Sequence, residues 1–99
     1  MSDKYLDILK QKVVEFMKDE DVQVILFGSR AKQSDTRVSA SDVDIGIIPG
    51  NSFDRRKLVF LREYLEESTI PYKVEVVDFS MVSDEFRRLA LKDAEVWKS

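Results

Sequence analysis

The chain has 99 residues, with 16 basic and 19 acidic side chains and a formal net charge of −3. This length predicts one small domain over residues 1–99, and the balance of charge does not favour general attraction to a nucleic-acid backbone. The chain lacks cysteine and histidine, which excludes disulfides, thiolate nucleophiles, catalytic triads and the usual zinc sites, and leaves carboxylates, hydroxyls, Lys, Arg or a bound ion for catalysis.

The first part of the chain predicts a helix, a strand and a polar loop. The helix runs from Asp3 to about Lys18, because apolar residues recur there at three- and four-residue steps. A buried strand follows from Val22 to Phe27 and ends at Gly28. A short helix could begin at Ser29, and residues 33–41 form a loop or a frayed helix end.

The middle of the chain predicts two strands with a helix between them. The first strand covers Val43 to Ile48 and stops at a Pro-Gly-Asn turn. The helix is capped by Ser52 and runs to about Glu67. The next strand runs from Tyr72 to Phe79, and because side chains alternate along a strand, Glu75 and Asp78 face opposite sides.

A last helix is predicted near the C-terminus, with Ser80 or Ser83 as its cap and Trp97 near its end. The element order is therefore α-β-α-β-α-β-α, which favours a small sheet with helices packed on it. No stretch approaches the roughly 18 consecutive apolar residues of a membrane span. We expect a soluble cytoplasmic protein.

Gly28-Ser29-Arg30 is the first motif with chemical potential. A hydroxyl, helix-start amides and a guanidinium can together hold phosphate oxygens. A plain strand-to-helix turn explains an isolated Gly-Ser equally well. The sequence contains neither a P-loop nor a dinucleotide-binding glycine motif.

Asp42-Val43-Asp44 is the second motif. Because strand residues follow it, both carboxylates point the same way about 7 Å apart, where they repel by roughly 2–3 kcal/mol. Mg²⁺ is the usual counter-charge for carboxylates beside phosphates. The alternative is that Asp42 caps a turn while Asp44 pairs with a surface Arg. Asp19-Glu20-Asp21 has the same spacing, but it lies in a polar segment where solvated charge suffices as an explanation.

Three segments in order resemble the signature of the minimal nucleotidyltransferases in the DNA polymerase β-like superfamily. They are Gly28-Ser29-Arg30-Ala31, Ser41-Asp42-Val43-Asp44-Ile45 and Val74-Glu75-Val76. The likeness extends over nearly the whole chain. It implies an α+β fold with a small mixed β-sheet and helices packed on it, the polymerase β-like nucleotidyltransferase fold.

The resemblance also implies two sets of site residues. Two divalent ions, Mg²⁺ or Mn²⁺ in its place, are expected to be bound by the catalytic carboxylates Asp42, Asp44 and Glu75. The phosphates of the nucleotide are expected to contact Gly28, Ser29 and Arg30. Two such ions, roughly 3.5–4 Å apart, suit an in-line displacement at phosphorus, and Glu75 could accept the proton of the attacking hydroxyl. Asp78 competes with Glu75 as the third carboxylate.

The resemblance further implies transfer of a nucleoside monophosphate, AMP from ATP, to a hydroxyl of a separately encoded helical HEPN-type protein, with the chain as antitoxin. Exposed apolar or basic residues are candidates for contact with that partner, although an ordinary solvated or core role is the preferred explanation for each of them. These candidates are Phe53, Arg55, Arg56, Arg87, Arg88 and Trp97.

Two other functions fit the same motifs. A long loop over residues 30–41, a Glu where Asp is usual in the third segment, and the lack of an evident acceptor-binding domain suggest a non-catalytic antitoxin that keeps the fold. Nucleotide transfer to a small molecule is the third interpretation.

Overall fold

A computed structural model of the chain describes residues 4–28 and 42–99. Its helices are α1 (Lys4–Phe16), α2 (Lys57–Glu66) and α3 (Asp84–Lys92). Its strands are β1 (Val22–Phe27), β2 (Asp42–Pro49), β3 (Lys73–Asp78) and β4 (Glu95–Lys98). Of the helices in these two ranges, none has the length and apolar composition needed to cross a membrane.

The four strands form one mixed sheet in the order β3-β2-β1-β4. Strand β1 is antiparallel to both β2 and β4, whereas β2 and β3 are parallel. The parallel pair requires a crossover connection, which α2 provides between β2 and β3. The expected α+β fold with a small mixed sheet is confirmed.

Helices α1 and α2 cover one face of the sheet and form the larger part of the core. Leu9 and Val13 of α1 and Leu61 of α2 are fully buried there. Their spacing gives each helix one apolar face, which is the pattern that predicted them. The strands add alternate residues, which are Val22, Val24, Leu26, Val43, Ile45, Ile47, Val76 and Trp97.

Helix α3 packs on the opposite face of the sheet. Its Phe86 lies edge-on to Phe27 and Phe79, with ring centroids 6.0 Å from each. Phe27 and Phe79 are themselves 5.2 Å apart. Gly46 lies beneath this cluster, because a Cβ there would be 2.6 Å from Cε1 of Phe79. The missing side chain of Gly46 therefore lets the Phe79 ring approach the backbone of β2.

The C-terminal prediction was wrong in one respect. The last helix ends at Lys92, and residues Glu95–Lys98, including Trp97, form the edge strand β4 instead of a helix end. Ser83 is the cap of α3, since its hydroxyl accepts a 3.1 Å hydrogen bond from the N–H of Phe86. Pairing of β4 with β1, about seventy residues earlier, overrides the local helical pattern.

The start predicted for the middle helix was also wrong. Helix α2 begins at Lys57, and the N–H of Ser52 instead donates a 3.0 Å hydrogen bond to the carboxylate of Asp21. Asp54 accepts from the N–H of Arg56, just ahead of the helix. The short helix predicted to begin at Ser29 lies outside the described residues.

Candidate active site

Strand register brings two of the predicted carboxylates side by side. Asp44 of β2 lies opposite Glu75 of β3 on one side and Phe27 of β1 on the other. Residues directly opposite each other point to the same face, and so do residues two apart on one strand. Asp42 therefore shares this face with Asp44 and Glu75, and it is the face on which α3 and the aromatic cluster lie.

The environment of Asp44 differs from that of its two acidic neighbours. Asp44 is half-buried, whereas Asp42 and Glu75 are exposed. Burial raises the pKa of the Asp44 carboxyl above its ordinary value, and the negative charges of Glu75 and Asp42 raise it further. A cation bound at this face would relieve both the desolvation and the repulsion.

The side chains, as they stand, do not surround a common point. Within residues 4–28 and 42–99, no three acidic side chains are grouped closely enough to hold a metal ion. The two exposed carboxylates, Asp42 and Glu75, extend from the strands without an ion-pair partner in the described part of the chain. Asp42 and Glu75 are thus exposed to solvent, while Asp44 is half-buried between them and the Gly28 turn.

Gly28 places the end of β1 directly against Asp44. Its φ of 76° lies in the left-handed region that favours glycine. A Cβ built on Gly28 would lie 2.5 Å from Oδ2 of Asp44. The turn that begins the first motif is therefore in contact with the carboxylate of the second. Ser29 and Arg30, the other predicted phosphate contacts, lie outside the described residues.

Asp78, the competing third carboxylate, is used elsewhere. It lies opposite Ile47, three positions beyond the Asp44–Glu75 pair, which is roughly 10 Å along the strands. Its carboxylate accepts a 2.7 Å hydrogen bond from Nε of Arg55. It also accepts from the N–H and Oγ of Ser80, at 2.9 and 2.7 Å. These partners leave Asp78 fixed at the far end of β3.

Lys73 is a residue of this face that the sequence analysis did not single out. It lies opposite Asp42 and two residues before Glu75, so its side chain shares their face. It is exposed and has no ion-pair partner within residues 4–28 and 42–99. The sequence shows that Lys73 and Glu75 are two residues apart on one strand, but it does not show how that strand is aligned with β2.

The candidate partner contacts fall into three groups. Phe53 and Trp97 have the core role that was the alternative to partner contact, because both are buried. Arg55 and Arg56 are engaged in ion pairs with Asp78 and Asp54. The remaining two, Arg87 and Arg88, are exposed on α3.

A wide groove of about 910 Å³ also runs beside α1. Tyr64 and Trp97 line it, together with polar residues of α1, and none of the candidate carboxylates does. The charged side chains in its lining all come from α1, and none belongs to the sequence motifs that indicated chemistry. The carboxylate face is therefore the better candidate for chemistry.

Comparison with known proteins gives the chain a family. Residues 11–98 match the model described as Polymerase beta, Nucleotidyltransferase. A Haemophilus influenzae protein named "Probable protein adenylyltransferase MntA" is 33% identical over 72 residues, which cover 73% of this chain and 61% of that protein. The chain thus spans about three fifths of the length of this curated relative.

Solved structures share the fold. A chain of the crystal structure of the MntA-HpeT toxin-antitoxin is 19% identical with a TM-score of 0.66, over 89% of this chain and 70% of that one. A toxin-antitoxin crystal structure with AMP-PNP gives 21% identity and a TM-score of 0.65, over 89% and 71%. A chain of the structure of the tri-AMPylated Shewanella oneidensis HEPN toxin in complex with MNT antitoxin is 19% identical, with a TM-score of 0.64. The match covers 92% of this chain and 70% of that one. Because the family model matches residues 11–98, the chain belongs to the polymerase beta nucleotidyltransferase family.

Proposed function

We propose that the chain is a metal-dependent nucleotidyltransferase that transfers AMP from ATP to a hydroxyl of a partner protein. The observation that carries this proposal is the register of the sheet, which sets Asp44 between Glu75 and the Gly28 turn. A phosphate-binding turn and a cation-binding carboxylate must be adjacent if a metal is to bridge them to a nucleotide. Family membership supports the same chemistry.

The carboxylate face fits a divalent cation by its donor set. Asp42, Asp44 and Glu75 would hold Mg²⁺ or Mn²⁺ through oxygen, the ligand that both ions prefer. Burial, and then the negative charges of Glu75 and Asp42, raise the pKa of Asp44, and a bound cation would offset both effects. Two bound ions would supply Lewis-acid activation of the hydroxyl and charge stabilisation at phosphorus.

The protein residues would perform three tasks. The turn at Gly28 and Ser29, with Arg30, would bind and orient the triphosphate. Glu75 would accept the proton of the acceptor hydroxyl, whose oxygen bonds to the α-phosphorus. The bond from that phosphorus to the bridging oxygen breaks, and pyrophosphate leaves with the electron pair. In-line attack requires the hydroxyl to approach the α-phosphorus from the side opposite the pyrophosphate.

The acceptor we propose is a hydroxyl of a HEPN-type toxin, with the chain as its antitoxin. The name of the Haemophilus influenzae relative describes it as a protein adenylyltransferase. The Shewanella oneidensis complex pairs a tri-AMPylated HEPN toxin with an MNT antitoxin. This proposal implies the cytoplasm, where ATP is available, as the compartment.

A second candidate is an antitoxin that acts by binding alone. It is favoured by the absence of a three-carboxylate group in the described ranges. It differs from the first candidate in needing neither metal nor nucleotide. Labelling of an acceptor would exclude it.

Transfer of label from ATP tests the main proposal. The protein is incubated with MgCl₂, ATP labelled at the α-phosphate and an extract of the native cell, and labelled proteins are identified by mass spectrometry. We expect one labelled band, and we expect Asp44→Asn to reduce labelling by roughly 10³-fold, since metal-based charge stabilisation is worth several kcal/mol.

Asp19→Asn is the matched control, because it comes from the Asp-x-Asp of identical spacing and is exposed. It should label as the wild type does. Labelling by Asp44→Asn at the wild-type rate would contradict the assignment of Asp44.

A further inference from the structure

The space beside Gly28 is occupied by the carboxylate of Asp44. A Cβ on Gly28 would lie 2.5 Å from Oδ2, 3.3 Å from Cγ and 3.5 Å from Cβ of Asp44. The first of these distances is shorter than real Cβ atoms show, so a side chain at residue 28 and the present carboxylate position exclude each other. The contact joins a turn and a strand that are sixteen residues apart in sequence.

Other neighbours leave Asp44 few alternatives. Phe27 lies opposite Asp44 on β1. Its ring belongs to the aromatic cluster on the same face of the sheet. Glu75 lies opposite it on β3 and repels it, as does Asp42. The carboxylate lies against Gly28, where the missing side chain leaves room for it.

We propose that Gly28 is a positioning residue for Asp44, so that its missing side chain fixes where the metal-binding oxygens lie. This inference rests on the proposed function and adds a role to the phosphate contact expected of Gly28. Because the Asp44 carboxylate lies against Gly28, an ion bound by Asp44 would be close to a phosphate bound by the turn. The glycine thereby sets the spacing between metal and nucleotide.

Substitution at residue 28 tests the inference through metal binding. Mn²⁺ binding to the nucleotide-free protein is measured by the loss of the free-ion EPR signal, with circular dichroism as the check on folding. Gly28→Ala adds a Cβ and strains a backbone that has positive φ, whereas Gly28→Asn adds a Cβ in a residue that tolerates that φ. We expect both variants to bind Mn²⁺ at least tenfold more weakly.

Gly50→Ala is the matched control. A Cβ on Gly50 would also meet a carboxylate, that of Asp21. Gly50 follows the C-terminal end of β2, whereas Asp42 and Asp44 lie at its N-terminal end. It should bind Mn²⁺ within twofold of the wild type. Wild-type affinity in both folded Gly28 variants would overturn the inference, and so would wild-type affinity in Gly28→Asn alone, since backbone strain and not the Cβ would then be responsible.

A double-mutant cycle separates this inference from the proposed function. Gly28→Asn is made in the wild type and in Asp44→Ala, and melting temperatures are compared without metal. Removal of the Asp44 carboxylate should reduce the destabilisation by about 4 °C or more, the shift typical of 1 kcal/mol in a domain of this size. An equal fall in both backgrounds overturns the inference. If the wild type binds no Mn²⁺, the metal proposal fails and the cycle alone decides the role of Gly28.

Discussion

At the scale of single residues, Glu75 and Asp78 lie three positions apart on β3 and have different roles. Glu75 lies beside Asp44 and is exposed. It has no ion-pair partner in the described part of the chain. Asp78 is only 10% exposed and accepts hydrogen bonds from Arg55 and Ser80. Alternation along the strand predicted that the two would face opposite sides. The identity of their partners depended on tertiary neighbours that no local pattern contains.

Asp78→Asn should destabilise the protein in a pH-dependent way. Burial opposes ionisation of Asp78, but hydrogen bonds from Ser80 and Arg55 outweigh it and hold the pKa below its usual value of 3.8. A carboxyl with a lowered folded-state pKa contributes stability above its unfolded pKa and loses it as the pH falls through the folded pKa. At pH 7 we expect the free energy of unfolding of Asp78→Asn to be about 1–2 kcal/mol below that of the wild type. This difference should decrease below about pH 3.8, and urea denaturation measures it.

Asp54→Asn is the control for this prediction. Its partner Arg56 is 89% exposed, two residues away on the same turn. An exposed pair of this kind contributes little, so the free energy of unfolding should change much less than in Asp78→Asn. A pH-independent loss in Asp78→Asn would contradict the assigned ion pair.

Lys73→Ala should weaken ATP binding. Lys73 is the exposed cation opposite Asp42, on the carboxylate face. Its ammonium would lie near the triphosphate, and loss of about 1 kcal/mol of attraction corresponds to roughly a fivefold rise in KM, with kcat little changed. Steady-state kinetics measures both. Lys10→Ala, on the outside of α1, should leave both unchanged. An unaltered KM in Lys73→Ala would remove this residue from the nucleotide site.

At the scale of elements, long periodic segments were predictable and short or tertiary ones were not. Helix α1 and strand β1 carry a full apolar pattern, with Leu9, Val13 and Val24 at its centre, and they lie where the sequence predicts them. Strand β4 has four residues, too few to establish alternation. Its pairing with β1 decides its structure. Helix α2 begins four residues later than predicted, because Ser52 bonds to Asp21 across the fold.

Trp97→Ala tests the reassignment of the C-terminal segment. Trp97 is 7% exposed, within the core, and its Nε1 donates a 2.8 Å hydrogen bond to Glu95. Removal of a buried tryptophan side chain costs about 3–5 kcal/mol. Val96, which is 59% exposed on the same strand, provides the control, and Val96→Ala should cost less than about 1 kcal/mol. Equal small losses in both variants would mean that the segment lies at the surface, as a solvated helix end would.

At the scale of the whole molecule, the order of the elements predicted helices packed on a sheet, the family resemblance predicted that the sheet is mixed, and neither established the register of the site. Helices alternating with strands predict a sheet covered by helices, and the three motifs indicated the family. The order β3-β2-β1-β4 and the register of Asp44 against Glu75 arise from long-range pairing. Parity restricted each carboxylate to one face of its strand, but only the register could make them neighbours. The single domain over residues 1–99 stays a prediction.

Melting temperature with bound ligands tests most directly whether the carboxylate face is a metal and nucleotide site. A ligand selective for the folded state stabilises it by about 2.7 kcal/mol at 100 times its dissociation constant, which raises the melting temperature by several degrees in a domain of this size. The ligands are MnCl₂ and an ATP analogue with a methylene bridge between the α- and β-phosphates. We predict that the two together stabilise the wild type more than either alone, and that Asp44→Asn loses this gain while Asp19→Asn keeps it. No shift in the wild type, or an equal shift in Asp44→Asn, would contradict the site.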